Sequence, residues 1–387
     1  MRGKEFDLYS YAAGVIVQAK TPALRRQIYE LLRKSPNPRT RIILLAVVKR
    51  WVDDPEAIEA LHGRLRDGRK EVVFAALRWI RELNSPKRSL EPLIAELERR
   101  EKRARGRVYY DLRKTLAGLT GFDLTAAADW RNYFETYKDN LDKAPRQRAG
   151  GRTRLKRTAK FFSLGVDSSR VVFLIDVSAS MTIEDVVVVP EQKEEDEEEE
   201  EEELGDGTTV VKIRGSGGRK AAMGQEKAGG GAKTVRRSRI DAVKQELIRT
   251  IGALPSTVHF NIISFNHEVG FFDSGVGLLQ ATTANKNRAA RWVASLAPNG
   301  ATRTDLALGR ALQLQDVDTV YLLTDGAPKN VDNQKIPPEA VLAYVRDQNR
   351  FRKCRINTIG FLQAGMSMRQ FCKDLAKQND GRCVLLK

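Results

Sequence analysis

Asp176-Val177-Ser178-Ala179-Ser180 presents one carboxylate and two hydroxyls at alternate positions, directly behind the apolar run Val171 to Ile175. Aspartate supplies charge and serine supplies neutral oxygen, which is the ligand chemistry of a hard cation such as Mg²⁺. The alternation turns all three side chains toward one point above the carboxyl end of a buried strand, the end at which open α/β sheets bind ligands. Alone, the pattern is also what a strand followed by an Asx or Ser turn would show. Two later segments narrow it. Asn299-Gly300-Ala301-Thr302 puts a threonine on a glycine-loosened turn before a helix, with Thr304 a nearby alternative hydroxyl. Val320 to Asp325 (VYLLTD) is a second apolar strand ending in an aspartate, and Gly326 follows it.

The elements that must position these groups can be read around them. Ser238 is placed to cap a helix with Ile240, Val243, Leu247, Ile251 and Leu254 on one face. A strand over Val258 to Phe265 follows, with a hairpin-like return through Val269 to Phe272. Helices over Ala289 to Leu296 and Asp305 to Leu314 precede the strand Val320 to Leu323. A helix over Pro338 to Asn349, a strand over Ile356 to Phe361, a helix over Met368 to Gln378 and a last strand, Cys383 to Leu386, complete the series. Strands alternating with helices predict a doubly wound, mainly parallel sheet of the Rossmann-like α/β class.

The order strand-DxSxS, then threonine, then strand-aspartate resembles the metal-ion-dependent adhesion site (MIDAS) of a von Willebrand factor type A (vWA) domain. The resemblance covers residues 167–387 apart from one insertion. It implies that Asp176, Ser178 and Ser180 form the first metal loop, Thr302 the second and Asp325 the third, the last often acting through water. Ala179 stands where the family usually has glycine, and Gly300-Ala301-Thr302 matches the family's Gly-Gly-Thr pattern better than Thr304 does. Few carboxylates with several hydroxyl and water ligands suit the partly hydrated octahedral shell of Mg²⁺, and Mn²⁺ or Ca²⁺ are compatible with the same oxygen set. In the family the open metal position takes an Asp or Glu of a partner protein.

Upstream, residues 1–140 read as paired amphipathic helices. Apolar residues recur at helical spacing in Leu24, Ile28, Leu31 and Leu32, in Ile42 to Val48, in Ile58, Leu61 and Leu65, and in Val72, Val73, Ala76, Leu77 and Ile80. Breaks fall at Ser35-Pro36-Asn37-Pro38, Asp53-Asp54-Pro55, Asp67-Gly68 and Asn84-Ser85-Pro86. Ile58-Glu59-Ala60-Leu61 recurs as Leu90-Glu91-Pro92-Leu93, and the helix pairs resemble HEAT repeats, with an irregular helical bundle as the alternative. Trp130, Tyr133, Phe134 and Tyr137 at helical spacing read as core, with a nucleotide-stacking surface as the alternative. Residues 141–166 are basic, with APRQRAGGRTRLKRTAK lacking apolar periodicity, and are expected to be a linker.

Charge is distributed unevenly. Of the net +17, residues 1–170 hold 38 Lys/Arg against 21 Asp/Glu, while the remaining residues hold 29 of each. The insertion at 184–237 carries Val186 to Val189, ten consecutive acidic residues from Glu194 to Glu203, and a Gly/Lys/Arg stretch. Such a composition buries too little apolar surface to offset ordering, so most of it is expected to be disordered, with Val186 to Val189 and Thr208 to Ile213 pairing as a small hairpin. The acidic run reads as a solvated spacer, as an intramolecular decoy for the basic surface, or as a loose divalent-ion sponge.

These features exclude much. Gly215-Ser216-Gly217-Gly218-Arg219-Lys220 lacks the spacing of a phosphate-binding loop, and no nucleophile with a partnered base is evident, so the chain is expected not to be an enzyme. Cys354, Cys372 and Cys383 form no CxxC pair and His62, His259 and His267 no ligand spacing; a reducing, cytoplasmic setting without a zinc site is expected. No run of about 20 apolar residues is present to span a membrane. Two functions remain: a protein-interaction module in which a metal grips a partner's acidic residue, with the helices as scaffold, and RNA binding by the basic helical part. Helical repeats joined to a vWA domain resemble in architecture the Ro autoantigen, which binds small structured RNAs, although the helical region here is much shorter.

Overall fold

The computed structural model describes residues 21–102, 106–143, 159–184, 186–190, 201–204, 208–211, 213–215, 235–274, 277–330 and 334–387. The chain divides into two compact units, Met1–Arg157 with Arg350–Lys353, and Thr158–Asn349 with Cys354–Lys387.

The first unit is all-helical among its described residues: α1 (Pro22–Lys34), α2 (Pro38–Val48), α3 (Pro55–Gly63), α4 (Lys70–Leu83), α5 (Pro86–Glu101), α6 (Arg107–Thr120) and α7 (Ala127–Tyr137). Its boundaries follow from local chemistry. Thr21, Asn37 and Asp54 each accept a backbone N–H with the side chain, and each precedes a proline at the first helical position, where a missing N–H costs nothing. Val72, Val73, Ala76, Leu77 and Ile80 are all buried, as their spacing predicts. On α1 the buried stripe runs through Ile28, Tyr29 and Leu32, and Leu24 and Leu31, expected on the apolar face, are instead 44% and 49% exposed. Trp130 is fully buried, with its indole N–H donating to the Leu124 carbonyl, so this aromatic belongs to the core of the unit.

The second unit begins earlier than the sequence suggests. Residues 159–166, assigned above to the linker, form the hairpin β1 (Lys160–Phe161) and β2 (Leu164–Gly165), and Phe161, Phe162, Leu164 and Val166 are buried in the α/β core. These apolar side chains outweigh the basic composition that precedes them.

The chain then runs through β3 (Arg170–Asp176), β4 (Val186–Pro190), β5 (Glu201–Leu204), β6 (Thr208–Val211), β7 (Ile213–Gly215), β8 (Val235–Arg237), α8 (Arg239–Ala253), β9 (His259–Phe265), β10 (Val269–Phe271), β11 (Leu279–Gln280), α9 (Thr283–Ser295), α10 (Thr304–Gln313), β12 (Thr319–Leu323), α11 (Pro338–Asn349), β13 (Arg355–Phe361), α12 (Met366–Gln378) and β14 (Cys383–Leu386). The central strands β9-β3-β12-β13-β14 are all parallel, with β10 and β11 pairing antiparallel to β9. A mainly parallel sheet is buried on both faces, which explains the apolar runs Val171 to Ile175 of β3 and Val320 to Leu323 of β12.

The described pieces of the insertion are strands, and their pairing departs from the expected hairpin. The edge strand β14 takes β6 in parallel register, Val384 opposite Thr209, and β5 adds antiparallel outside it. Pairing of β6 satisfies backbone groups that an edge strand leaves open. The valine strand β4 pairs with β7 in parallel and with β8 antiparallel. Glu194 to Glu200 and the Gly/Lys/Arg stretch lie outside the described residues. No helix of the described residues is long and apolar enough to cross a membrane.

Candidate metal centre

Register brings the two aspartates together. β3 and β12 are neighbours, with Ile175 opposite Leu323, so Asp176 and the Thr324-Asp325 pair leave the sheet side by side at its carboxyl edge. On the other flank Asp176 lies opposite Phe265. The chain crosses from one side of β3 to the other between β9 and β12, which makes this edge a topological switch point.

Asp176 is fully buried and held at both oxygens. The Ser178 backbone N–H donates to Oδ1 at 2.8 Å, and the Thr324 hydroxyl donates to Oδ2 at 2.6 Å. Burial, and then the nearby Asp325 carboxylate, push the Asp176 carboxyl above the ordinary aspartate range. A short 3₁₀ turn over Ala179–Thr182 folds the loop back, so that the Ser178 and Ser180 hydroxyls lie 3.2 Å apart and Ser180 Oγ donates to Asp325 Oδ1 at 2.7 Å.

Thr302 arrives on the loop after α9. Gly300 has φ +67°, a conformation that favours glycine, and a Cβ there would collide with the His267 ring. The loop is tied down by Ala179 N–H to the Gly300 carbonyl at 3.1 Å and by Asn299 N–H to the Val177 carbonyl at 2.8 Å. Thr302 is buried, and its hydroxyl lies 2.8 Å from where a Cβ on Gly326 would sit, so it borders the residue after Asp325. All five residues singled out in the sequence therefore lie at one edge. Thr304 is buried at the first turn of α10, its hydroxyl without a hydrogen-bond partner among the described residues.

Two further residues belong to the cluster and were not singled out from the sequence. Thr324 holds Asp176, as described. Arg239, the first residue of α8, sends its guanidinium to Asp325 Oδ2 at 2.6 Å, with both side chains almost wholly buried. Its position just after the Ser238 cap is the one sequence signal that could have found it, since helix-start residues of α8 face the carboxyl edge of the sheet.

The donor set fits a hard divalent cation. It offers two carboxylates, Asp176 and Asp325, with the Ser178 and Ser180 hydroxyls beside them, all of them oxygen ligands of the kind such an ion takes.

The model of the von Willebrand factor type A domain family matches residues 232–384. The α/β unit is a von Willebrand factor type A domain. The matched span includes Thr302 and Asp325 and begins after the DxSxS loop, which the insertion separates from the rest. The human von Willebrand factor A domain-containing protein 3B is 28% identical over 146 residues, covering 38% of this chain and 10% of that protein. This chain thus spans about a tenth of that relative's length. Similar solved structures include a von Willebrand factor type A protein from Catenulispora acidiphila, 16% identical, with a TM-score of 0.36 over 58% of this chain and 40% of that one. Another is proximal thread matrix protein 1 from the mussel byssus with a zinc-occupied MIDAS motif, 12% identical, with a TM-score of 0.33 over 71% of this chain and 53% of that one.

Proposed function

We propose that the vWA domain is a metal-dependent receptor for an acidic residue of a partner protein, with the HEAT-like helical unit as its scaffold. Asp176, Ser178, Ser180, Thr302 and Asp325 hold the ion, and Mg²⁺ suits their oxygen chemistry best, with Mn²⁺ or Ca²⁺ as substitutes. The observation that carries this reading is the convergence of two strand-end carboxylates through the Ser178–Ser180–Asp325 hydrogen-bonded chain. When bound, the ion supplies positive charge and an open coordination position that a partner's Asp or Glu can fill. Domains of this family are protein-interaction modules, and the role proposed for this one is binding, not catalysis.

The three cysteines are buried free thiols, which supports a reducing, cytoplasmic setting. The excess positive charge of the helical unit supports a nucleic-acid surface less well than composition suggests. Arg41, Arg64, Arg99, Arg100, Arg113 and Arg131 all hold carboxylates within that unit.

The test is retention of partners from lysate on the immobilised full chain in Mg²⁺ and in chelator. Proteins held in Mg²⁺, released by chelator and not held by Asp176→Ala are the expected result. Retention indifferent to both chelator and Asp176→Ala would overturn the metal-dependent mechanism.

A further inference from the structure

Arg239 places a third, positive group inside the cluster of carboxylates. Its backbone N–H is fixed by the Ile183 carbonyl at 3.0 Å, at the end of the turn that carries Ser180. Its guanidinium lies over the Phe361 ring, 5.0 Å from the centroid, at the end of β13. Its charge meets Asp325 Oδ2, while Asp325 Oδ1 accepts from Ser180. A buried carboxylate with a guanidinium at 2.6 Å is already neutralised, and a divalent ion drawn to Asp325 meets that fixed charge.

We propose that Arg239 is a built-in counter-cation of the metal site: it holds Asp325 and stabilises the ion-free cluster, and a divalent ion must displace or repel it to bind. The inference rests on the metal-site reading above and adds to it a residue that sets affinity. The device sits where the insertion rejoins the domain, since β8 ends at Arg237 and pairs with β4, the strand that follows the metal loop. The two ends of the insertion thus lead directly to the DxSxS turn and to Arg239.

The consequence is a trade between stability and affinity. Arg239→Met keeps an unbranched apolar stem over Phe361 and removes the charge, so Asp176 and Asp325 are left buried together without it. In chelator this variant is expected to melt below the wild type. With Mg²⁺ it is expected to bind about tenfold more tightly, because removing a buried positive neighbour favours the ion, and to recover most of its lost melting temperature. Arg239→Lys restores a point charge without the planar fork and is expected to return both quantities toward wild type.

The experiment is Mg²⁺ titration by calorimetry, with melting in chelator and in Mg²⁺, on full-length wild type, Arg239→Met and Arg239→Lys. Tighter binding by Arg239→Met, reversed by Arg239→Lys, supports the proposal. Wild-type binding with unchanged or weaker binding by Arg239→Met overturns it and leaves the metal site standing. No binding by any of the three removes the metal site and this proposal with it. If Arg239→Met does not fold in chelator, the proposal requires that it fold in excess Mg²⁺, and failure in both conditions overturns it.

Discussion

Gly300 and Gly326 show how closely the loops of the cluster are fitted. Gly300→Ala forces a side chain into a left-handed backbone against His267, and is expected to destabilise the α/β unit by about 1–2 kcal/mol. Denaturant unfolding checks this, and adding His267→Ala should recover the part due to collision but not the part due to φ. Gly326→Ala acts differently, because its methyl meets the Thr302 hydroxyl at 2.8 Å. That substitution should leave the fold intact and weaken Mg²⁺ binding, as read by titration; unchanged affinity would argue that Thr302 has no part in the site. At this scale the DxSxS loop and Asp325 were legible because alternation and strand ends declare themselves in one dimension. Thr324 and Arg239 were not, since their roles depend on which strands and helices become neighbours: Thr324 acts through the β3–β12 register, and Arg239 reaches Asp325 from 86 residues away.

Among elements, the helices of the first unit carry their own punctuation, and two positions give tests of it. Asn84 ends α4 in a left-handed conformation at φ 45°, ψ 44°. Asn84→Gly removes the Cβ penalty there and is expected to stabilise the helical unit by roughly 0.5–1 kcal/mol in thermal or denaturant unfolding. His62, on α3, contacts the Ser89 hydroxyl at 3.2 Å, and burial pushes its imidazole down to about 4. Because its folded value lies below the ordinary one near 6.5, the neutral form is favoured by folding, and that contribution is lost as pH falls from about 6.5 toward 4. Unfolding measured at pH 7 and pH 5 should show a loss of about 2 kcal/mol that His62→Gln largely removes. Helix boundaries were legible here because Thr, Asn, Asp and Ser precede prolines. The β1–β2 hairpin was not, since a basic run masked Phe161 and Phe162, and neither was the pairing of β6 with β14, which lies far along the chain from it.

For the molecule as a whole, the account is of a helical unit and a vWA domain whose acidic and basic insertion departs from the sheet beside the metal loop and returns beside Arg239. The parallel sheet was foreseen because short apolar strand segments alternate with amphipathic helices along the sequence. The central claim is that the strand-end cluster binds a divalent ion, and the acidic run at 194–203 makes a site-specific control essential. Calorimetric titration of Mg²⁺ into chelator-stripped full-length protein, wild type beside Asp176→Ala, tests it most directly. The account predicts one-to-one binding by the wild type that Asp176→Ala abolishes. Absence of binding by the wild type, or binding that Asp176→Ala leaves unchanged, would contradict it.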